Sequence, residues 1–211
     1  MYLIKTPWWL KKIYPSFIWN IKEADKTIYL TFDDGPHETV TPFVLDELKK
    51  FNAKATFFCI GKNVLSQSNI YQRILEEGHS VGNHTYNHLK GWKTADELYI
   101  DDINNASQLI NSNLFRPPYG RIKKSQANLL HHHSETLNQK FQIIMWDVLS
   151  GDFDPGINAE KCLKNVVKHA GSGDIVVFHD SAKAFEKLRF ALPKVLAQFT
   201  EQGYQFERIV L

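Results

Sequence analysis

Two cysteines in 211 residues, Cys59 and Cys162, are too few and too far apart for a disulfide framework. Cys59 sits in the apolar run Ala55-Thr56-Phe57-Phe58-Cys59-Ile60 and reads as a small buried residue. Charge of one sign is also missing: a formal net charge of +2 gives no reason to invoke nucleic acid. No apolar stretch is long enough to span a bilayer. The first 21 residues are aromatic-rich but broken by Lys5, Pro7, Lys11, Lys12 and Pro15. They show neither an apolar h-region nor a small-residue cleavage site. No repeat, low-complexity tract or linker divides the chain. The default expectation is therefore a cytoplasmic monomer without a transmembrane segment.

What is present is ordinary globular composition, 43% hydrophobic and 23% charged, and enough length for one sizeable core. Nine histidines look numerous, yet His131, His132 and His133 are consecutive in a helical pattern and read as polar helix surface. Residues 1–25 read as an aromatic-rich clasp packed on the main domain. Thr6 is expected as an N-cap with Pro7 at the first helical position. Interfacial membrane contact through Trp8, Trp9 and Trp19 is the alternative.

From residue 27 onward, strand and helix signals alternate. β-rich apolar runs fall at 27–32, 55–60, 80–82, 114–115, 142–146, 174–178 and 204–210. Helical patterns lie between them at 41–51, 71–77, 94–111, 125–137, 159–169 and 183–199, the third opened by a capping box from Thr94 to Glu97. Such alternation predicts parallel strands covered by helices, as an open sheet or a closed barrel. Function in such folds gathers at the C-terminal strand ends.

Every chemically suggestive motif stands at such an end. Asp33-Asp34-Gly35-Pro36 follows the first strand. Adjacent carboxylates raise each other's pKa, and a nearby cation removes that cost. Gly35 is expected to let the backbone leave the strand at dihedrals closed to other residues, so that one carboxylate can bind a metal and the other move a proton. An isolated Asp-Asp-Gly is more often a solvated turn. His84-Thr85-Tyr86-Asn87-His88 follows the third strand, and two His four residues apart on a helical turn can share an ion. One carboxylate and two imidazoles leave coordination positions open, the pattern of a catalytic site. Arg116-Pro117-Pro118-Tyr119-Gly120 follows the fourth strand; its rigid backbone suits presenting an N–H to an oxyanion, from Tyr119 or Gly120. Trp146 to Phe153 offers an aromatic wall and carboxylates able to orient a His or Arg, and His179 ends a buried strand as a candidate general acid.

These five blocks, in this order, resemble the polysaccharide deacetylases of carbohydrate esterase family 4, those with the NodB homology domain. The resemblance covers residues 26–211 and implies a distorted (β/α)-barrel of about seven parallel strands, its active site at their C-terminal ends. It implies that Asp34, His84 and His88 hold a divalent metal, usually zinc, with cobalt or nickel also possible. Asp33 would be the general base, Arg116 its ion-pair partner, and His179 the general acid oriented by Asp152. The Tyr119 backbone N–H would serve the oxyanion, and Pro118, Trp146 and Val177 would line the substrate pocket. The family usually has Leu where this chain has Val177, and an Asp and a Trp where it has Leu149 and Phe153; these departures bear on pocket shape more than on chemistry.

The implied substrate is an acetylated glycan, peptidoglycan or chitin-like, releasing acetate; a cell-wall substrate would imply export. Hydrolysis of an O-acetyl ester or another amide, or sugar binding without turnover, are the alternatives. An ester needs less help from an acid, so His179 favours the amide. The loops at 37–41, 89–94 and 151–158 would decide the glycan.

Overall fold

We describe the protein from a computed structural model over residues 2–21, 25–136 and 140–211, with 131–136 as backbone alone. The expectation for the His131–His133 side chains lies outside the described residues. After a short helix α1 (Trp8–Ile13) come β1 (Thr27–Asp33), α2 (Val40–Lys50), β2 (Thr56–Cys59), α3 (Gly61–Ser66), α4 (Ser68–Glu76) and β3 (Ser80–Asn83). Then follow α5 (Asp96–Ser107), β4 (Leu114–Phe115), α6 (Lys124–Thr136), β5 (Gln142–Ile143), β6 (Val148–Leu149) and α7 (Ala159–His169). The chain closes with β7 (Ile175–His179), α8 (Phe185–Glu201) and β8 (Gln205–Phe206).

The strands pair in parallel in the order β5-β4-β3-β2-β1-β7-β6, with β8 beside the start of β1. Seven parallel strands thus form a curled half-barrel, the distorted (β/α)-barrel that the alternation and the family resemblance imply. Strand alternation sorts β1 into two faces. Ile28, Leu30 and Phe32 pack outward with Val44, Leu45, Leu48, Leu188, Leu192 and Leu196. Phe32 stacks between Phe57 (5.1 Å) and Phe178 (6.1 Å). Thr31 and Asp33 face the inside of the curl, where both meet Arg116.

Sequence signals and structure part at several places. The run 142–146 yields only β5, and the separate β6 carries no sequence signal of its own. These are the two edge strands of the sheet, and residues 144–147 join them directly. The N-terminal segment straps this seam: Leu149 N–H donates to Ile4 O (2.9 Å), Thr6 N–H to Asp147 O (2.8 Å), Ile18 N–H to Ile143 O (2.8 Å) and Met145 N–H to Ile18 O (2.7 Å). Parallel pairing of Val148 and Leu149 with Val176 and Val177 of β7, not local propensity, makes residues 148–149 a strand, and the N-terminal strap covers its other side.

The Thr94 capping box does not form. Helix α5 starts at Asp96 without a side-chain cap, because the Thr94 hydroxyl donates instead to Lys90 O (2.8 Å). Thr6 likewise donates to Trp146 O (2.7 Å), and Pro7 precedes α1. Cys59 and Cys162 are both free and buried. Among the described residues, no helix is long and apolar enough to cross a membrane.

Candidate active site

The chain turns out of β1 at Asp34, not at Gly35. Asp34 takes a left-handed φ of 81°, a conformation Asp tolerates better than most residues. Asn63 Nδ2 holds its carbonyl (2.7 Å). Glycine is needed next door for space: a Cβ at residue 35 would overlap the Asp180 carboxylate. Asp180 is fully buried and accepts from Gly35 N–H (3.0 Å) and the Thr41 hydroxyl (2.5 Å), while its own N–H donates to Asp33 O (3.0 Å). Burial, with the Asp34 charge adding, pushes its pKa up to about 8. The Asp-Asp pair is therefore splayed by a third aspartate, which sequence reading missed although it directly follows His179.

His84 and His88 lie on a loop, not on a helical turn, with Thr85 at φ 63° and His88 at φ 59°. A left-handed β-branched Thr is strained, at a cost of about 1–3 kcal/mol, and such strain collects where surroundings over-determine a site. Here Asn83 Oδ1 accepts from Thr85 N–H (2.8 Å). Asp102 accepts from Tyr86 N–H (3.0 Å), Asn87 N–H (2.9 Å) and the Asn87 amide (2.6 Å).

That loop brings Asp34, His84 and His88 together, with one potential ligand atom from each within 4.8 Å of the others. His84 Nδ1 lies 2.7 Å from Arg116 O. A carbonyl only accepts, so Nδ1 carries the proton. Burial pulls the His84 pKa down to about 4, so at neutral pH the ring is uncharged and Nε2 is a bare lone pair. It faces Asp34 Oδ1 at 3.6 Å, with His88 Nε2 3.1 Å from the same oxygen. Asp34 Oδ1 is nonetheless a buried atom without a hydrogen-bond partner. Burial alone would raise the Asp34 pKa, but the His88, His179 and His84 rings outweigh it and hold it below the usual range. The His84 lone pair and the Asp34 carboxylate oxygen, with His88 Nε2 beside them, fit a cation: ligand atoms on a tetrahedral ion with bonds of about 2.1 Å stand ~3.4 Å apart.

Beside this triad, Arg116 is fully buried and spends its guanidinium on Asp33 Oδ1 (2.7 Å), Thr31 Oγ1 (2.7 Å), Met145 O (3.0 Å) and Ile144 O (3.2 Å), flat over the Phe58 ring. Across from it, Asp152 grips His179 twice, through the backbone N–H (2.7 Å) and Nδ1 (2.8 Å). Burial pulls the His179 pKa down, but the charge and hydrogen bond of Asp152 outweigh it and the value rises to about 9. In the Arg116 loop, Gly120 N–H is taken by Pro117 O (2.9 Å), which leaves Tyr119, at φ 61°, as the residue free to present an N–H. Pro118 is buried, Trp146 packs on Gly120, and Val177 lies two residues below His179 on the same face of β7.

Comparison with known proteins decides what this arrangement belongs to. The family profile described as polysaccharide deacetylase matches residues 20–135. A peptidoglycan-N-acetylglucosamine deacetylase of Bacillus cereus is 36% identical over 196 residues, covering 89% of this chain and 88% of that protein. The chain belongs to the polysaccharide deacetylase family. The peptidoglycan-N-acetylmuramic acid deacetylase PdaA of Bacillus subtilis is 33% identical over 211 residues, covering 95% of this chain and 75% of that one. A crystal structure of a peptidoglycan N-acetylglucosamine deacetylase bound to an N-hydroxybenzamide superposes with a TM-score of 0.84 at 30% identity, over 97% and 95% of the two chains.

This chain is accordingly an N-acetyl deacetylase that hydrolyses carbon–nitrogen bonds. All eleven sequence-predicted site residues of the deacetylase lie at or just below the C-terminal ends of β1, β3, β4, β5, β6 and β7, or on the loops that leave them. The departure at Phe153 keeps an aromatic wall, its ring edge-on to His179 at 5.1 Å and braced by Tyr2 at 5.2 Å. Asp180, Asp102 and Asn83 are what sequence reading missed; each shapes a backbone that another residue uses.

Proposed function

We propose that this deacetylase is zinc-dependent and removes N-acetyl groups from the amino sugars of peptidoglycan. The observation that carries the reading is the bare Nε2 of His84 and the unpartnered Asp34 Oδ1 converging with His88. A cation held by Asp34, His84 and His88 supplies Lewis acidity, lowering the pKa of bound water and polarising the acetyl carbonyl.

The remaining steps fall to the protein. Asp33, fixed and counter-charged by Arg116, takes the proton of the attacking water. The Tyr119 N–H donates to the carbonyl oxygen as it gains charge. Val177 and Trp146 shape the space for the acetyl methyl. An amine departs only when protonated, and His179, kept cationic by Asp152, delivers that proton. An ester leaving group needs no such help, so the investment in His179 and Asp152 supports an amide substrate.

The test is acetate release from peptidoglycan, acetylated chito-oligosaccharides and acetylxylan, with zinc content measured on the same preparation. Peptidoglycan turnover with about one zinc per chain is expected. Turnover of acetylxylan alone would overturn the amide reading.

A further inference from the structure

Two loops at the mouth of the site are locked together by crossed pairs. Lys90, in the loop after β3, lies over the ring of Tyr119, in the loop after β4, at 4.8 Å. Reciprocally, Arg121 of the second loop lies over the indole of Trp92 of the first, also at 4.8 Å. The loops are tied beneath: Trp92 Nε1 donates to Ile122 O (3.1 Å), and the fully buried Gln126 donates to Gly91 O (2.9 Å) and Thr94 O (3.2 Å). A Cβ at Gly91 would press on Arg121 O. Trp92 and Tyr119 are nonetheless 57% and 52% exposed. The Tyr119 ring touches the His88 ring at 4.7 Å, so the assembly adjoins the metal triad.

Neither Lys90 nor Arg121 has a carboxylate partner among the described residues, whereas nearby Lys123 is paired with Asp96 at 3.0 Å. An exposed cation laid over an aromatic face is held in place without being neutralised. Its charge stays available, and its long side chain has already lost much of its freedom. Arg121 covers one face of the Trp92 indole and Lys90 one face of the Tyr119 ring, so the half-exposed remainder of each ring stands beside a positive charge. A sugar ring can pack on that exposed aromatic surface. A neutral glycan leaves both charges unused; a glycan bearing carboxylates satisfies them.

We propose that Lys90, Trp92, Tyr119 and Arg121 form a platform for the glycan next to the scissile acetamide, and that it selects strands carrying carboxylates, as the peptide stems of peptidoglycan do. The inference rests on the deacetylase reading above and adds to it the charge of the substrate.

The experiment uses the metal-replete full chain on native peptidoglycan and on peptidoglycan whose carboxylates have been amidated. The ratio of kcat/KM for native over amidated material should be roughly 5 to 10, given the modest worth of two exposed ion pairs. In Lys90→Met/Arg121→Gln it should fall close to 1, through KM rather than kcat. High salt should lower the wild-type ratio in the same way. Trp92→Ala should raise KM for both substrates. A wild-type ratio near 1, or a ratio that survives in the double variant, overturns the platform. Acetate release from neither substrate would instead overturn the peptidoglycan reading of the deacetylase. Co-sedimentation with the two peptidoglycans then decides the platform, by loss of native-selective binding in the double variant or its persistence.

Discussion

Asp33 and His179 stand opposite each other in register at the ends of the adjacent parallel strands β1 and β7. Neighbouring strands lie ~4.8 Å apart, so the proposed base and acid are placed by the sheet itself. Each is then turned by its own partner, Asp33 by Arg116 and His179 by Asp152.

Metal content separates the two carboxylates of the Asp33-Asp34 pair. Asp34→Asn, His84→Ala and His88→Ala should each lose the ion on dialysis. Asp33→Asn should retain it and still lose turnover by roughly 10²–10⁴-fold. Emission spectrometry on the dialysed variants checks this; equal retention in Asp33→Asn and Asp34→Asn would show the roles to be wrongly divided.

The pH profile reports on His179. Its pKa lies above the ordinary 6.5, at about 9, so the acid is charged at neutral pH and activity declines as pH rises through the folded value. The His179–Asp152 pair also contributes stability that is fully present below 6.5 and lost by about pH 9. In Asp152→Asn burial is opposed only by the Asp34 and Asp33 charges, and the alkaline limb should move to lower pH. A limb that does not move would show that Asp152 does not charge this ring.

His179→Ala should slow amide hydrolysis by roughly 10²–10⁴-fold and an activated aryl acetate far less, since that leaving group needs no proton. Equal losses on the two substrates would leave His179 a positioning residue.

Arg116→Met should cost about 3–5 kcal/mol, because it strands Asp33 as a buried charge without a partner. Arg116→Lys should rescue only part, since an ammonium cannot reproduce four directed donations over a Phe58 face. Urea titrations give both values, and a Lys variant as stable as wild type would contradict this account.

The N-terminal segment, read as a clasp, makes its own prediction. Lys5 reaches Asp174 (2.6 Å), and Lys11 pairs with the buried Asp147. Burial, and Asp147 beside it, raise the Asp174 pKa to about 6, with Lys5 pulling the other way. Lys5→Met/Lys11→Met should destabilise by about 1–3 kcal/mol at pH 8. A carboxyl with a raised folded pKa favours folding when protonated, so the loss should be smaller below pH 5. Thermal melts at the two pH values test it; a loss independent of pH would mean the lysines act through packing alone.

The sequence by itself determined the alternation of strands and helices and the placing of every reactive side chain at a strand end. Both follow from local information: β-rich apolar runs, and polar residues that interrupt them on cue. It also made the candidate site legible, because Asp33, Asp34, His84, His88, Arg116, Asp152 and His179 stand in short blocks that resemble those of the family. Tertiary structure alone decided how those blocks are aimed. The left-handed Asp34 depends on Asp180, well over a hundred residues away, and the His84–His88 loop on Asp102. Strand β6 exists because Val148 and Leu149 pair with Val176 and Val177 of β7, with residues 4–6 strapped against its other side. The His84 tautomer follows from a carbonyl on β4's exit loop. Such long-range hydrogen bonds leave no periodicity in the chain, since their partners are matched in space and not in sequence.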